Sequence, residues 1–335
     1  MKAADVRHRF LLVFRRYGMY KKEIKLLDAT VRDGGLINNH KFDHRFVHEV
    51  YKAVAASGVD YIELGYKNSD KKFSPDEYGA WKFCKDDDIL KVIDGVETDA
   101  KISVMCDVGR VNLDDFKPAD ESPIDLVRTA TYVKDIDKAI FMTDHFHDLG
   151  YETAINIMAI SRDMGSFELD TALQQIESDS KVDVVNIVDS FGALYQETTE
   201  KLVKKFLEIL KTKKVGYHGH NHIQLGFANT IEALLHGATY LDGTVYGIGR
   251  AAGNCPLELL LGFLKNPKFD VRPVLDLISQ EFIPLRKEIE WGYIIPYAIS
   301  GMMNEHPRAA MALRNSDKKE NYREFYESLS NAYME

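Results

Sequence analysis

The chain has 335 residues, 45% of them hydrophobic, enough for one large core: either a single barrel of about 250 residues with additions or two ordinary domains. Its net charge of −9 is spread without a basic stripe, so a phosphate backbone would meet mostly like charge, and nucleic acid is excluded as a partner. The longest apolar run near the start, Phe10 to Phe14, is too short for a signal core of roughly 7–15 residues or a membrane span of about 20, so neither export nor a membrane is expected.

Residues 1–23 form a basic N-terminal segment outside the pattern that follows, and Met19 offers an alternative start of translation. From Ile24 onward one rhythm repeats: a short apolar run rich in β-branched residues, a loop, then a longer stretch with helical spacing. The runs predicted as strands are Ile24–Thr30, Val59–Gly65, Lys101–Asp107, Ile124–Ala130, Thr153–Ala159, Val182–Asp189, Lys214–His218 and Tyr240–Tyr246. Between them HRFVHEVYKAVAASG has Phe46, Val50 and Val54 at four-residue spacing and ends on Gly58, as a helix with a C-cap glycine should. TTEKLVKKFLEIL and IQLGFANTIEALLHG behave likewise. Eight such units predict a closed TIM (β/α)8 barrel over residues 24–262. An open dinucleotide-type sheet would carry a Gly-rich turn where this chain reads RDGG.

Residues 263–335 lose the rhythm. The aromatic- and Met-rich WGYIIPYAISGMMNEHPRAAMAL precedes a charged tail, which reads as a helical C-terminal extension packed on the barrel or on a second subunit. Tyr293, Tyr297, His306 and Arg308 would serve a lid there, but structural packing is the favoured expectation. Cys84, Cys106 and Cys255 are odd in number and far apart, which argues against a disulfide framework and a thiolate zinc site and points to the reducing cytosol.

In such a barrel the chemistry gathers where strands end. That rule selects Arg32 and Asp33 after the first strand, Glu63 on the second, Asp107 and Arg110 after the third, and Arg128 and Thr129 on the fourth. It also selects Asp189 and Ser190 at the sixth, His218 and His220 at the seventh, and the loop GIGRAAGNCPLE after the eighth. His218 and His220, one residue apart on a strand, face the same way. Taken alone they are as readily a solvated strand end or two core imidazoles; with Asp33 and Asn254 on neighbouring strands they make a metal site. Nitrogen and oxygen ligands without thiolate suit Mn²⁺, Mg²⁺ or Co²⁺, with Zn²⁺ chemically possible.

Six motifs in order, IKLLDATVRDGG, YIELG, VRTAT, VDSFGAL, HGHNHIQLGFANTIEALLHGATYLDGT and GIGRAAGNCPLE, resemble the metal-dependent lyase and aldolase barrels. That superfamily includes 4-hydroxy-2-oxovalerate aldolase, HMG-CoA lyase and 2-isopropylmalate synthase, and the resemblance covers about 70% of the chain, Ile24 to Leu261. It implies Asp33, His218 and His220 as metal ligands, Asn254 as a fourth ligand or its support, and Arg32 as the cation beside an enolate oxygen. It further implies that Glu63 orients Arg32 or metal-bound water and that Asp189 supports the metal shell and the substrate.

Condensing synthases resemble RDGEQ where this chain reads RDGG followed by Leu36, and HMG-CoA lyases carry RDGLQNE with a cysteine before the GN motif. The pattern here sits nearest the 4-hydroxy-2-oxo acid aldolases, so the expected activity is a metal-dependent aldol cleavage or condensation through a pyruvate-type enolate, with a 2-oxo acid and an aldehyde as partners. An acyl-CoA lyase or a Claisen-type condensing enzyme is the alternative, and a homo-oligomer is expected. The aldolases usually place a histidine base three residues after the metal aspartate; Leu36 cannot transfer a proton. His222 is the preferred substitute, because alternation along HGHNH continues from His218 and His220, with His40, Tyr66 and Tyr246 as others. Arg110 and Arg128 would clamp a distal carboxylate or phosphate, or only pair with barrel acids. Gly247, Gly249 and Gly253 would bind a phosphate or merely shape the loop carrying Asn254. The stretch GGLINNHKFD suggests a larger or more polar aldehyde, including a sugar-derived one.

Overall fold

The structure, a computed structural model, describes residues 23–331; the run Phe10–Phe14 and Met19 lie outside the described residues. Eight parallel strands close into a barrel in sequence order: β1 (Lys25–Asp28), β2 (Tyr61–Tyr66), β3 (Lys101–Asp107), β4 (Leu126–Thr131), β5 (Glu152–Ile157), β6 (Val184–Asp189), β7 (Lys214–Gly219) and β8 (Tyr240–Gly243), with β8 returning to β1. All eight expected strands are present, and the expected TIM barrel is the observed architecture.

Three strands, β1, β5 and β8, end earlier than their apolar runs. β1 stops at Asp28 because the Asp28 carboxylate accepts from the Thr30 amide at 3.2 Å and from the Thr30 hydroxyl, turning the chain into the helical segment Thr30–Gly34. The Thr30 oxygen in turn accepts from Val245 N at 2.8 Å, which ties that turn to the end of β8. Arg32 and Asp33 therefore sit on a helical turn over the mouth rather than on a strand.

Helices alternate with the strands and cover them. In His44–Ala56 the Asp43 side chain caps the first turn by accepting from Phe46 N at 2.7 Å, while Phe46, Val47, Val50, Tyr51 and Val54 face the sheet. Gly58 then takes φ +80°, in a spot where a Cβ would strike the Lys268 carbonyl oxygen, so glycine is needed both for the turn and for the close approach. Two apolar layers result. The larger lies between strands and helices, and a smaller one, including Leu27, Tyr61, Leu126, Ala154 and Val184, fills the barrel below the mouth.

Beyond the helix Leu257–Phe263 the chain continues in short helices, among them Ile295–Met302, Arg308–Arg314 and Tyr322–Asn331. Their apolar residues Tyr297, Ile299, Ala310 and Phe325 pack on Ala251 and Ala252 of the loop after β8. The Ser161 hydroxyl donates to Asn304 Oδ1 at 2.5 Å and Arg162 pairs with Glu305 at 2.8 Å, so this extension bridges the loops after β5 and β8. Among the described residues no helix is long and apolar enough to cross a membrane. Phe146 is wholly buried, its ring centroid 4.5 Å from that of Phe116, whereas Phe167 is 81% exposed. Phe146→Ala should therefore cost about 3–5 kcal/mol in urea unfolding, and Phe167→Ala no more than about 0.5 kcal/mol.

Candidate active site and metal centre

The mouth of the barrel holds a cavity of about 320 Å³ whose wall includes Arg32, Asp33, Leu36, His218 and His220. Asp33 comes from the turn after β1, His218 and His220 from β7 and the bridge that follows it, and ligand atoms of the three lie within 4.8 Å of one another. His218 Nε2 is 3.4 Å and His220 Nε2 4.0 Å from Asp33 Oδ2. All three side chains are buried, and His218 Nε2 and His220 Nδ1 have no hydrogen-bond partner. Burial pushes the Asp33 carboxyl up, but Arg32, His220 and His218 outweigh it and hold Asp33 well below the usual carboxylate range. Burial holds His220 well below its ordinary value, as a neutral ligand should be.

Asn254 closes this side. Its residue forms an isolated bridge with His220, its amide donates to the Ile248 carbonyl at 3.0 Å, and its Oδ1 is buried without a partner. A Cβ on Gly249 would collide with the Asn254 side chain and lie 2.9 Å from Asp33 Oδ1, so glycine there is required by the close approach of Asn254 to Asp33. Unpartnered oxygen and nitrogen acceptors around a buried carboxylate are the donor set a divalent cation needs, and the residues fit one.

Arg32 is held on both sides: Nη1 donates to Asp33 Oδ2 at 2.7 Å and Nε to Glu63 Oε2 at 2.7 Å. Glu63 lies behind Arg32 rather than on the cavity wall. Asp242 on β8 was not singled out from the sequence. Its Oδ2 takes the His218 Nδ1 proton at 2.9 Å, which leaves His218 Nε2 free as an acceptor, and it also receives Arg128 Nη2 at 2.5 Å. Its signal was available in the inward position of YLDGT beside a histidine strand.

Three expected site residues stand elsewhere. Arg128 is buried under the cavity between Glu63 Oε2 at 3.3 Å and Asp242, so it braces acids and is not a clamp on the cavity wall. Asp189 accepts from the Ala193 and Leu194 amides at 3.0 and 3.1 Å and so secures the turn after β6 instead of facing substrate. His222 also misses the wall: β7 ends at Gly219, Asn221 N donates to the Gly253 carbonyl, and the His222 ring lies against Tyr297, behind His220. Burial pushes His222 down to about 3.

Arg110 lines the rim, and Leu36 packs with Tyr66, Met105, Ala130 and Met158 in an apolar strip across the cavity. His40 is buried against Tyr66, off the wall. The C-terminal extension supplies His306 and Arg308 to the wall, and among the described residues His306 is the only imidazole there besides His218 and His220. Tyr293 is exposed and Tyr297 is buried against His222; neither lines the cavity. Replacing Asp242 by Asn should weaken Mn²⁺ binding by about 10–100-fold, and Asp33→Ala should abolish it, as read by calorimetric titration.

The sequence profile of the HMGL-like family matches residues 23–280. The 4-hydroxy-2-oxovalerate aldolase of Moorella thermoacetica is 31% identical over 254 residues, spanning 73% of this chain and 71% of the relative. The protein of that name from Thermus thermophilus is 31% identical over 269 residues, spanning 78% and 75%. Among solved structures, the N-terminal domain of a protein from Bacteroides vulgatus assigned as an aldolase superposes with a TM-score of 0.74 at 28% identity, covering 90% of this chain and 99% of that one. With the closed barrel and the Asp–His–His cluster at its mouth, these matches establish that the chain belongs to the HMGL-like family, a family of enzymes.

Proposed function

We propose that this protein is a divalent-metal-dependent aldolase that cleaves or forms 4-hydroxy-2-oxo acids through a pyruvate-type enolate. The observation that carries the reading is the cluster of Asp33, His218 and His220 with Arg32 beside it on one cavity wall, in a chain whose relatives are 4-hydroxy-2-oxovalerate aldolases. Asp33, His218 and His220, with Asn254 alongside, would hold the ion, and Mn²⁺ or Mg²⁺ suits that set best, ahead of Co²⁺ and Zn²⁺. When bound, it supplies Lewis-acid polarisation of the keto oxygen of the 2-oxo acid.

In cleavage a base takes the proton of the 4-hydroxyl, the bond between carbons 3 and 4 breaks, and the aldehyde leaves. The electron pair stays on the pyruvate half as its enolate, which is then protonated at carbon 3. Arg32, its orientation set by Glu63 and Asp33, offers a fixed positive charge to the enolate oxygen. Leu36, Met105 and Met158 line the wall with apolar surface and keep water from the carbon chain.

With leucine at 36, and His222 and His40 off the wall, His306 is assigned as the base. Burial, then Arg250, Arg308 and Arg162, push it down to about 4, so it is neutral at pH 7 and able to take a proton. The test is proton NMR of pyruvate in deuterated water with Mn²⁺ or Mg²⁺. Methyl exchange that needs the metal and falls by about 10²–10³-fold in Arg32→Ala is expected. His306→Gln should lower the cleavage rate by about 10²-fold or more. Absence of exchange with metal bound would overturn the pyruvate reading and direct attention to acyl-CoA substrates.

A further inference from the structure

The cavity has two ends. Because the barrel closes in strand order, β3 stands four strands from β7, and side chains at the tips of β2, β3 and β4 face His218 and His220 across the mouth. The far wall carries three cations, Lys82, Arg110 and Lys134, and two carboxylates, Asp107 and Asp135. Both carboxylates are engaged: Asp107 by Arg110 at 3.1 Å and Asp135 by Lys138 at 2.7 Å.

Lys82 is the unusual member. It is only 5% exposed, yet among the described residues no carboxylate forms an ion pair with it. Its ammonium stands instead among three rings, 4.3 Å from the centroid of Phe73, 4.6 Å from Tyr66 and 5.4 Å from Tyr78. The Arg110 guanidinium lies 5.8 Å from the same Phe73 centroid, so two like charges gather at one ring. Backbone bonds hold them there: Asn68 N donates to the Lys82 carbonyl at 3.2 Å and Ser69 N to the Arg110 carbonyl at 2.9 Å.

A buried ammonium costs free energy unless it is paired, and ring faces compensate only part of that cost. Burial pushes Lys82 below its ordinary value; Asp107, itself paired with Arg110, offsets only part of that, and Arg110 adds to it. An anion entering the cavity would supply the ion pair that Lys82 lacks. Between this end and the metal cluster runs the apolar strip of Leu36, Met105 and Met158, which suits a short carbon chain.

We propose that the cavity end opposite the metal cluster is an anion subsite in which Lys82 and Arg110 determine specificity, so that the aldehyde half of the substrate carries a carboxylate or a phosphate. The proposal rests on the aldolase reading above for which half of the substrate lies where.

Carboligation of pyruvate with Mn²⁺ tests it on two matched pairs, glyceraldehyde 3-phosphate against glyceraldehyde and succinic semialdehyde against butanal. The anionic member of at least one pair should be preferred in kcat/KM by about 30-fold or more, and the pair that shows it separates phosphate from carboxylate. Lys82→Met should cut that preference by about 10-fold or more, chiefly through KM, while Lys82→Arg retains it. Equal kcat/KM within both pairs, or a preference that survives in Lys82→Met, overturns the subsite. Should wild-type protein exchange no pyruvate protons, the aldolase reading fails by itself, and thermal unfolding with inorganic phosphate or succinate decides the subsite. Stabilisation seen in wild type and lost in Lys82→Met supports it; no stabilisation in wild type refutes it.

Discussion

Six buried side chains beneath the mouth are joined in a line, His218 to Asp242, Arg128, Glu63, Arg32 and Asp33, and it curls into a ring where His218 Nε2 faces Asp33 Oδ2 across 3.4 Å. Its two arginines face three carboxylates, a surplus of negative charge; burial pushes His218 down, but Asp242 and Asp33 outweigh it and hold the imidazole above its ordinary value. Deep in a barrel such a surplus is costly unless a cation shares it, and breaking one edge would leave a buried charge unpaired at a cost of about 3–5 kcal/mol. The same ring sets the working geometry, because it fixes the Arg32 guanidinium and presents His218 Nε2 as an acceptor.

The barrel makes the ring possible by bringing five elements to one point: the turn after β1 and the strands β2, β4, β7 and β8. Apart from Arg32 and Asp33, which are neighbours in the chain, the pairs are not local; Arg128 and Asp242 are 114 residues apart. Around this rigid floor the loops carry the variable chemistry, as the fold allows. The long connection after β2 contributes Lys82, the tip of β3 Arg110, and the C-terminal helices His306. Position 36, on the turn after β1, gives the cavity an apolar side chain, while the extension brings it an imidazole, His306.

Much of this was legible in the residues. Strand runs and helix spacing predicted the barrel, because period-2 and 3.6-residue patterns reflect burial directly. Asp33, His218, His220 and Asn254 stood out because residues able to hold a metal are restricted in kind and strand ends in place, and the barrel brings them together. Arg128, Asp189 and His222 were misplaced for one shared reason. Strand-end position does not say whether a side chain turns into the cavity or beneath it, and the alternation that would have carried His222 inward ends with the strand at Gly219.

The sequence by itself determined the eight-unit alternation, the carboxylate and imidazole side chains offered by the first and seventh units and the apolar side chain at position 36, since each is a property of residue type and spacing along the chain. Only the tertiary structure decided that Asp242 faces His218 Nδ1, that Lys82 is buried among aromatic rings without an ion pair, and that His306 reaches the cavity. Those facts depend on closing the barrel and docking the extension, which bring together groups far apart in the chain, and no local pattern records that.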